Sequence, residues 1–300
     1  FGSSFCIELN GHCRDLNVMA AALDVAGKNV LITGASAGIG KELALLLAKQ
    51  GANLALFARR LELLEQLATD CSTSGKNRAV AAKCDVTDRT SCEAAIKKVV
   101  KEFQKIDIIV LNAGMSMGCY FEDIKDLSDG DKLLSLNVMG VANVLHYAFP
   151  FIPKVSASRI VVISSVAGVV GVPFRTLYCA SKWAVHGFCA SLRTELLEAY
   201  GENAPKVVIS CPPEVATGLN TNRLKFGNDT TAQFDEKTAV PATVAAEKIW
   251  ESIRDGVRIG LFSKVHTWLH SLYNCFPSRI DRIVIDGVKK SHRAPRYGNM

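Results

Sequence analysis

Residues 29–40 read Asn-Val-Leu-Ile-Thr-Gly-Ala-Ser-Ala-Gly-Ile-Gly. The first five of them, Asn29–Thr33, form a short apolar run that is typical of a strand buried on both faces. A glycine-rich turn follows directly, and Lys41–Gln50 then has helical spacing until Gly51 ends it. A strand, a tight glycine turn and a helix in this order are the first unit of a βαβ arrangement.

The same alternation continues along the chain. Further strands are predicted at Asn53–Ala58, Arg78–Cys84, Asp107–Leu111, Arg159–Ser164, Lys206–Cys211 and Val257–Phe262. The helices between them are predicted at Arg60–Cys71, Cys92–Phe103, Asp131–Phe149, Thr176–Tyr200 and Thr243–Asp255. Because right-handed crossovers place helices on both faces of such a sheet, we predict an α/β fold. It is a single doubly wound Rossmann-type parallel sheet with helices on both faces.

The composition excludes several classes of protein. Of the 300 residues, 49% are hydrophobic and 21% are charged, which excludes a disordered chain. No uninterrupted run reaches the roughly 18 apolar residues of a spanning helix; the longest candidate lies around Val138–Ile152. The ten cysteines form no Cys-x-x-Cys pair, which indicates buried thiols in a reducing, intracellular compartment.

The glycine turn has the features of a phosphate site, because it places backbone N–H groups and a positive helix end together. Gly34 allows the tight turn, Gly38 allows close approach to a phosphate, and Gly40 allows the helix to pack on the sheet. Ser36 and Ile39 belong to the same turn. We therefore predict that these five residues contact a dinucleotide.

The same turn also fits a second motif. Residues 34–38 match Gly-x-Ser-x-Gly, the nucleophile elbow of α/β hydrolases, with Ser36 as the nucleophile. This hypothesis needs a late histidine with an acidic partner. His186, His266 and His270 are available, but none has a distinctive setting. The hydrolase is therefore the weaker alternative.

The end of the second predicted strand indicates which dinucleotide binds. Enzymes that use NAD place an acidic residue there, whereas this sequence has Ala58 followed by Arg59 and Arg60. A guanidinium suits the oxygens of a 2′-phosphate. The sequence therefore predicts NADP(H), with Arg59 as the main contact.

A second pattern lies in the long helix predicted at Thr176–Tyr200. Tyr178 and Lys182 are four residues apart, so they share one face of that helix. An ammonium near a phenol lowers the pKa of the phenol from about 10, which makes Tyr178 usable as an acid or base. Ser164 and Ser165 close the preceding strand.

Together these motifs resemble the short-chain dehydrogenase/reductase family. The resemblance covers roughly residues 28–217, and the matching segments are Thr33–Gly40, Asp85, Asn112-Ala113-Gly114, Asn137, Ser164-Ser165 and Tyr178-x-x-x-Lys182. It implies an enzyme that transfers hydride between a nicotinamide and a carbonyl or secondary alcohol. A non-catalytic NADP-binding scaffold of the same fold is the alternative.

The resemblance also implies roles for single residues. Ser165 binds the substrate oxygen, with Ser164 as the alternative if the register differs by one. Tyr178 exchanges the proton, and Lys182 binds the nicotinamide ribose and lowers the pKa of Tyr178. Asn137 holds a water that links Lys182 to solvent. The other implied cofactor contacts are Asp85, Val86, Asn112, Ala113, Gly114 and Thr217.

The loop after the sixth predicted strand departs from the family, since Pro213 stands where a glycine is frequent. The Pro212-Pro213 pair resembles the 3-ketodihydrosphingosine reductase branch. We therefore consider a membrane-associated lipid or steroid ketone reductase, of that branch or of the 11-beta-hydroxysteroid dehydrogenase-like branch. The substrate-binding segment is expected at about 218–240. The candidates for an apolar pocket are Met115, Met117, Tyr120, Phe121, Val170 and Phe174, although an ordinary core position is the stronger hypothesis for any single one of them.

The end of the chain differs from the rest. The net charge is +6, and residues 251–300 hold nine Lys and Arg against four Asp and Glu, so the body is nearly neutral. Aromatic and basic residues near each other, such as Trp268 and Arg279, suit a segment on an anionic membrane and equally a helix packed on the domain. His266 and His270 lack a third metal ligand, so no metal is predicted.

These patterns predict an extension at 1–27, a Rossmann-type NADP-binding catalytic domain at 28–262 and an amphipathic basic tail at 263–300. The expected partners are a small hydrophobic carbonyl or alcohol and, from the resemblance, further copies of the chain in a dimer or tetramer. Nucleic acid is not expected. Peripheral contact of the tail with a membrane, such as that of the endoplasmic reticulum, is the remaining expectation.

Overall fold

A computed structural model describes residues 23–72, 77–218, 239–273 and 275–291, with side chains up to residue 287 in the last helix. Several predictions fall outside the described residues. They concern residues 1–22 of the predicted extension, nearly all of the expected substrate-binding segment, and the basic end of the tail.

A seven-stranded parallel sheet forms the centre of the fold. Its order is β3-β2-β1-β4-β5-β6-β9, and β7 and β8 pair separately. The strands are β1 Asn29–Thr33, β2 Asn53–Ala58, β3 Ala79–Lys83, β4 Ile108–Leu111, β5 Arg159–Ile163, β6 Lys206–Cys211, β7 Val215–Ala216, β8 Val240–Pro241 and β9 Ile259–Leu261. The order reverses between β1 and β4, and ligands of doubly wound sheets bind at the carboxyl ends of the strands at such a point.

Helices cover both faces of the sheet. They are α1 Gly38–Lys49, α2 Leu61–Cys71, α3 Arg89–Phe103, α4 Ser128–Leu134, α5 Gly140–Ala148, α6 Thr176–Tyr200, α7 Ala242–Asp255, α8 Lys264–Tyr273 and α9 Pro277–Ser291. The apolar residues of α1, α2 and α7 form one core with Val30 and Ile32 of β1, and those of α3, α5 and α6 form the other with Leu31. The central strands β1, β4 and β5 are therefore buried on both faces, and the predicted doubly wound fold is confirmed.

The predicted boundaries differ from the observed ones in two informative places. The helix α1 begins at Gly38 and not at Lys41, because the second half of the glycine turn already has helical hydrogen bonding. The helix predicted at Asp131–Phe149 is interrupted by a π-helical turn, Ser135–Met139, between α4 and α5. A π turn contains one more residue than an α-helical turn, because its hydrogen bonds join residues five apart. The apolar periodicity of the sequence does not indicate this insertion.

The helical stretch Ser128–Phe151 has the length and apolar composition of a membrane span, and it was not predicted to be one. Length and composition are weak indications by themselves, because core helices share them. In this protein Val141, Val144 and Leu145 of that stretch lie in the core beside the sheet. Their apolar character is therefore explained by packing within the domain.

Two helices follow the last strand. Leu269 of α8 and Ile280 of α9 are buried against Val170, so this end of the chain packs on the domain. Trp268 of α8 and Phe276, which lies between the two helices, are each 49% exposed. The buried residues agree with the hypothesis of a tail packed on the domain. The exposed aromatic residues leave the hypothesis of membrane contact open.

Candidate active site

The glycines of residues 34–40 form a cradle at the carboxyl end of β1. Gly34 has a φ of +67°, and a Cβ there would lie 3.0 Å from the Cα atom of Ala113. A Cβ on Gly40 would lie 2.5 Å from the carbonyl oxygen of Gly34. The first position needs a left-handed backbone, and the second leaves no room for a side chain. The turn and the first residues of α1 are therefore held together by contacts that only glycine permits.

Thr33 joins this cradle to the loop that follows β4. Its Oγ1 atom accepts hydrogen bonds from the N–H groups of Asn112 and Ala113, at 2.9 and 3.0 Å. The side chain of Asn112 donates in turn to the carbonyl oxygen of Thr33 at 2.9 Å. The predicted residues 112–114 are thus fixed beside the glycine turn, on the side where the strand order reverses.

Four of the predicted cofactor residues follow the ends of β2 and β3, namely Arg59, Arg60, Asp85 and Val86. Arg60 donates to the Ser36 hydroxyl at 2.9 Å, so the arginine pair and the glycine turn face the same space. Burial opposes ionisation of Asp85, but hydrogen bonds from Thr87 and the charge of Arg59 hold its pKa below the ordinary value. Asp85 is therefore a carboxylate in the folded protein.

The contact of Ser36 bears on the hydrolase alternative. Its hydroxyl accepts from a guanidinium, which stays protonated in proteins and cannot act as a general base. His186, one of the histidines considered as its partner, is hydrogen-bonded to Ser164 at 3.0 Å. Ser36 therefore has no general base among these contacts, and the residues that match the nucleophile elbow belong to the glycine cradle.

Asn137 lies in the π turn and points into the domain. Its Oδ1 atom accepts from the N–H of Met115 at 2.8 Å, and its Nδ2 atom donates to Met115 and to Ser181, each at 3.0 Å. A Cβ on Gly114 would lie 3.2 Å from Asn137 and 3.7 Å from the Nζ atom of Lys182. Asn137 therefore sits directly behind Gly114 and close to Lys182.

The two serines at the end of β5 point in different directions, as alternation along a strand requires. Ser165 accepts a hydrogen bond from the N–H of Ala167 at 3.2 Å, and its side chain lies near enough to the phenol to oppose the effect of burial on the pKa of Tyr178. Ser164 turns to the opposite side, toward His186. The serine that shares a site with Tyr178 is thus Ser165.

Tyr178 and Lys182 are both buried near this serine. Burial raises the pKa of Tyr178, and the charge of Arg175 and the hydrogen bond with Ser165 oppose that effect. Burial lowers the pKa of Lys182 to about 8, and its ammonium donates to the carbonyl oxygen of Ile163 at 3.0 Å. The charge that lowers the pKa of Tyr178 most is that of Arg175. The resemblance to the family had led us to expect this effect from Lys182.

A cleft of about 730 Å³ connects these groups. It extends from the arginine pair past the glycine turn to Tyr178. All the predicted catalytic and cofactor residues line it except Gly40, which lies beneath the turn, and Asn137, which lies behind Gly114. Sequence reasoning missed three polar residues of its wall, which are Ser116, Arg175 and Glu214. The only signal for them was their position in the loops after β4, β5 and β6.

The expected apolar pocket is present in part. Met115 and Phe174 line the cleft, and Phe174 makes an edge contact with Tyr120 at 4.4 Å between ring centroids. Met117 is fully buried in the core, whereas Phe121 is 58% exposed. Val170 packs against the C-terminal helices. Met117 is therefore a core residue, as the alternative had it, and neither Phe121 nor Val170 lines the described cleft.

No group of three His, Cys, Asp or Glu side chains that could hold a metal ion occurs in residues 23–72, 77–218, 239–273 and 275–291. The seven buried cysteines described, and the exposed Cys275, are all free thiols. Cys6 and Cys13 lie outside the described residues. The glycine cradle, the cationic end and the polar groups at the other end all suit a dinucleotide.

A doubly wound sheet whose first glycine turn opens into such a cleft at the switch point is typical of dinucleotide-binding proteins. The sequence model of the short chain dehydrogenase family matches residues 28–226. The chain therefore belongs to the short-chain dehydrogenase/reductase family, as its motifs indicated.

Relatives of this chain carry related names. It is 30% identical to 11-beta-hydroxysteroid dehydrogenase-like 2 of Arabidopsis thaliana over 91% of this chain and 85% of that protein. It is 38% identical to dehydrogenase/reductase SDR family member 7 of Homo sapiens over 65% of this chain and 57% of the human protein. Of the two branches considered, the 11-beta-hydroxysteroid dehydrogenase-like one is therefore supported.

Solved structures agree on the fold. A short chain dehydrogenase/reductase from Burkholderia phymatum, in complex with NAD, has a TM-score of 0.71 and 24% identity over 85% of this chain and 95% of that one. An alcohol dehydrogenase from Thermococcus sibiricus, complexed with 5-hydroxy-NADP, has a TM-score of 0.67 and 24% identity over 77% and 93%. One neighbour therefore holds NAD and the other an NADP derivative.

Proposed function

We propose that this protein is an NADP(H)-dependent oxidoreductase that interconverts the carbonyl and secondary alcohol forms of a hydrophobic substrate. One observation carries the proposal. Ser165, Tyr178 and Lys182 converge at one end of a cleft whose other end is lined by Arg59 and Arg60. Groups for proton transfer and a cationic site for a phosphate thus lie in a single space.

The nicotinamide supplies hydride, and the residues of this chain supply position and the proton. Ser165 and Tyr178 line the same cleft, where a substrate oxygen can accept hydrogen bonds from both hydroxyl groups. Tyr178 gives its proton to that oxygen during reduction and takes it back during oxidation. Lys182 holds the nicotinamide ribose. Asn137, which lies behind Gly114 and close to Lys182, holds a water that links Lys182 to solvent and so supports the supply of protons.

The preference for NADP(H) is supported by charge. Arg60 is directed to Ser36 in the glycine turn, and Arg59 is near enough to Asp85 to lower its pKa. The two guanidinium groups therefore border the place where an adenosine 2′-phosphate would lie. We propose that the remaining cofactor contacts come from the cradle and from the loops after β3, β4 and β6. Thr217 is the contact in the last of these loops.

The hydrophobic substrate is supported by the wall of the cleft and by the names of the relatives. Met115, Val172 and Phe174 line the cleft beside Tyr178. An apolar wall next to one polar corner suits a ketone carried on a steroid, a long acyl chain or a retinoid.

Residues 28–262 are proposed as the catalytic domain and residues 263–300 as a tail that contacts a membrane peripherally. The exposed side chain of Trp268 lies on α8, which packs on the domain through Leu269, and the exposed Phe276 lies in the connection from α8 to α9. Such a face suits the boundary of a lipid headgroup layer. We further propose that the protein lies inside the cell at a membrane such as that of the endoplasmic reticulum. Copies of the chain are proposed to pair through their long helices.

The test is a screen of NADPH oxidation with an 11-keto steroid, a long-chain 3-keto lipid and all-trans-retinal, with NADH in parallel. We expect turnover of at least one ketone with NADPH and much slower turnover with NADH. Tyr178→Phe should remove turnover and retain NADPH binding, because only the hydroxyl is lost. A scaffold protein would bind NADPH without turning over any of the three ketones, and a faster reaction with NADH would refute the assigned role of Arg59.

A further inference from the structure

Arg175 stands three residues before Tyr178, and none of the motifs assigns it a role. Its Cζ atom lies 5.8 Å from the centroid of the Tyr178 ring. It donates to the hydroxyl of Ser116 at 2.6 Å and to a carboxylate oxygen of Glu214 at 3.2 Å. The side chains of Arg175 and Glu214 are 15% and 27% exposed, so this ion pair is largely shielded from solvent. The guanidinium is thus held against the tyrosine from two sides.

These contacts join three separate loops. Ser116 belongs to the loop after β4, Arg175 to the loop between β5 and α6, and Glu214 to the loop after β6. All three loops lie at the carboxyl edge of the sheet, around the ring of Tyr178. The position of one side chain therefore depends on the arrangement of all the loops that surround the proton-transfer group.

The charged and titratable groups around the phenol have unequal effects. They are Arg175, Lys182, Cys179 of the same helix and Cys211 of β6, and the neutral hydroxyl of Ser165 lies beside them. The charge of Arg175 is the largest influence that opposes the effect of burial on the pKa of Tyr178. Lys182, whose pKa is lowered to about 8, loses its charge in mildly alkaline solution, whereas a guanidinium stays charged. Arg175 is therefore the permanent cation beside the phenol.

We propose that Arg175 is a positioning residue for proton transfer: Glu214 and Ser116 hold its guanidinium against Tyr178 and keep a fixed positive charge there. The inference rests on the proposed role of Tyr178 as the proton donor. Glu214 has a second effect, because its negative charge offsets part of the field of Arg175 at the phenol. The two members of the ion pair should therefore act on Tyr178 in opposite directions.

The test follows the titration of Tyr178 in the full chain. The protein is labelled with carbon-13 at the ζ position of tyrosine, and Tyr178→Phe identifies the signal. In Arg175→Gln we expect the titration to move to higher pH by about 0.5 to 1 unit, since a nearby cation is lost. In Glu214→Gln we expect it to move to lower pH, because the glutamine amide oxygen can still accept from Arg175 and hold it in place, while the opposing negative charge is lost. Arg78→Gln removes an exposed partner of Glu102 far from the site and should change nothing.

Shifts of opposite sign would support the proposal, because a merely structural contact would disturb the site in the same way from either side. No shift in Arg175→Gln, or shifts of the same sign in both variants, would overturn it. If Arg175→Gln does not fold, Glu214→Gln decides alone, since it keeps the cation, and an unmoved titration then contradicts the proposal. The signal requires no substrate, so a failure to find turnover leaves this result intact.

Discussion

The Nζ atom of Lys182 lies 5.6 Å from the centroid of the Tyr178 ring, with both side chains buried in the same wall of the cleft. Burial acts on the two groups in opposite ways. It raises the pKa of the phenol and lowers that of the ammonium to about 8, because in each case the neutral form is favoured. At neutral pH, burial therefore brings the neutral form of Lys182 closer in free energy to its charged form, and it moves the phenolate form of Tyr178 further from the phenol.

Lys182→Met should stabilise the folded protein at pH 7 while removing turnover. The folded-state pKa is about 8 against 10.5 for an exposed lysine, so the cost of burying the charge is fully present below pH 8. That cost is relieved as the pH rises from 8 to 10.5, since only the unfolded chain then binds the proton. We expect a gain of up to about 3 kcal/mol at pH 7 that shrinks toward pH 10.5. Chemical unfolding at several pH values measures it, and a loss of stability at pH 7 would contradict the prediction.

His186→Gln should flatten the loss of stability in acid. Burial lowers the pKa of His186 to about 4, so between pH 6.5 and 4 the unfolded chain binds a proton that the folded chain does not. Stability is therefore lost as the pH falls through that window, by up to about 3 kcal/mol. Glutamine can keep the hydrogen bond to Ser164 without this cost. Unfolding at pH 7 and pH 4.5 compares the variants, and the exposed His146→Gln should retain the full acid dependence of the wild type.

Gly40→Ala should damage the fold and cofactor binding together. The added methyl group would lie 2.5 Å from the oxygen of Gly34 and 2.7 Å from Asn112, so α1 or the turn must move. We expect a loss of about 1 to 3 kcal/mol, measured by thermal unfolding, and weaker NADPH binding. Gly187→Ala in α6 is the control, because its Cβ meets nothing within 4 Å. It should stabilise the protein by about 0.5 to 1 kcal/mol. Equal behaviour of the two alanines would show that the cradle is not close-packed.

Arg59→Ala should weaken NADPH binding roughly tenfold or more and leave NADH binding almost unchanged. The reason is the loss of a charged hydrogen-bond donor to the 2′-phosphate, which NADH lacks. Fluorescence titration with each dinucleotide measures both affinities. Arg78→Ala removes an equally charged but distant side chain and should alter neither. A parallel loss for NADH would mean that Arg59 acts on the fold of the cleft.

Replacing Trp268 and Phe276 together with serine should reduce binding to anionic phospholipid vesicles roughly tenfold, because both exposed aromatic side chains lose their apolar contact. Sedimentation with phosphatidylserine-containing vesicles measures the bound fraction. Val155→Ser changes an exposed apolar residue outside the tail and should not alter binding. Unchanged sedimentation of the double variant would show that this face is covered by protein.

The fold and most of the predicted site residues could be read from the sequence because their signals are local. The glycine turn fixes its own backbone over seven residues, and the spacing of Tyr178 and Lys182 places them on one helix face. Continuous apolar runs such as Asn29–Thr33 predict strands buried on both sides. Each of these signals lies within a few residues of chain, so no knowledge of distant contacts was needed.

Only the tertiary structure decided how residues from separate loops meet. Three features of the site depend on contacts between segments far apart in sequence. They are the π turn that places Asn137 behind Gly114, the directions of Ser164 and Ser165, and the ion pair of Arg175 and Glu214. Likewise, the pKa of Lys182 follows from burial by the whole domain and not from its neighbours in the chain. The sequence thus determined the fold and which groups line one edge of the sheet, whereas packing determined which of them touch and how they are charged.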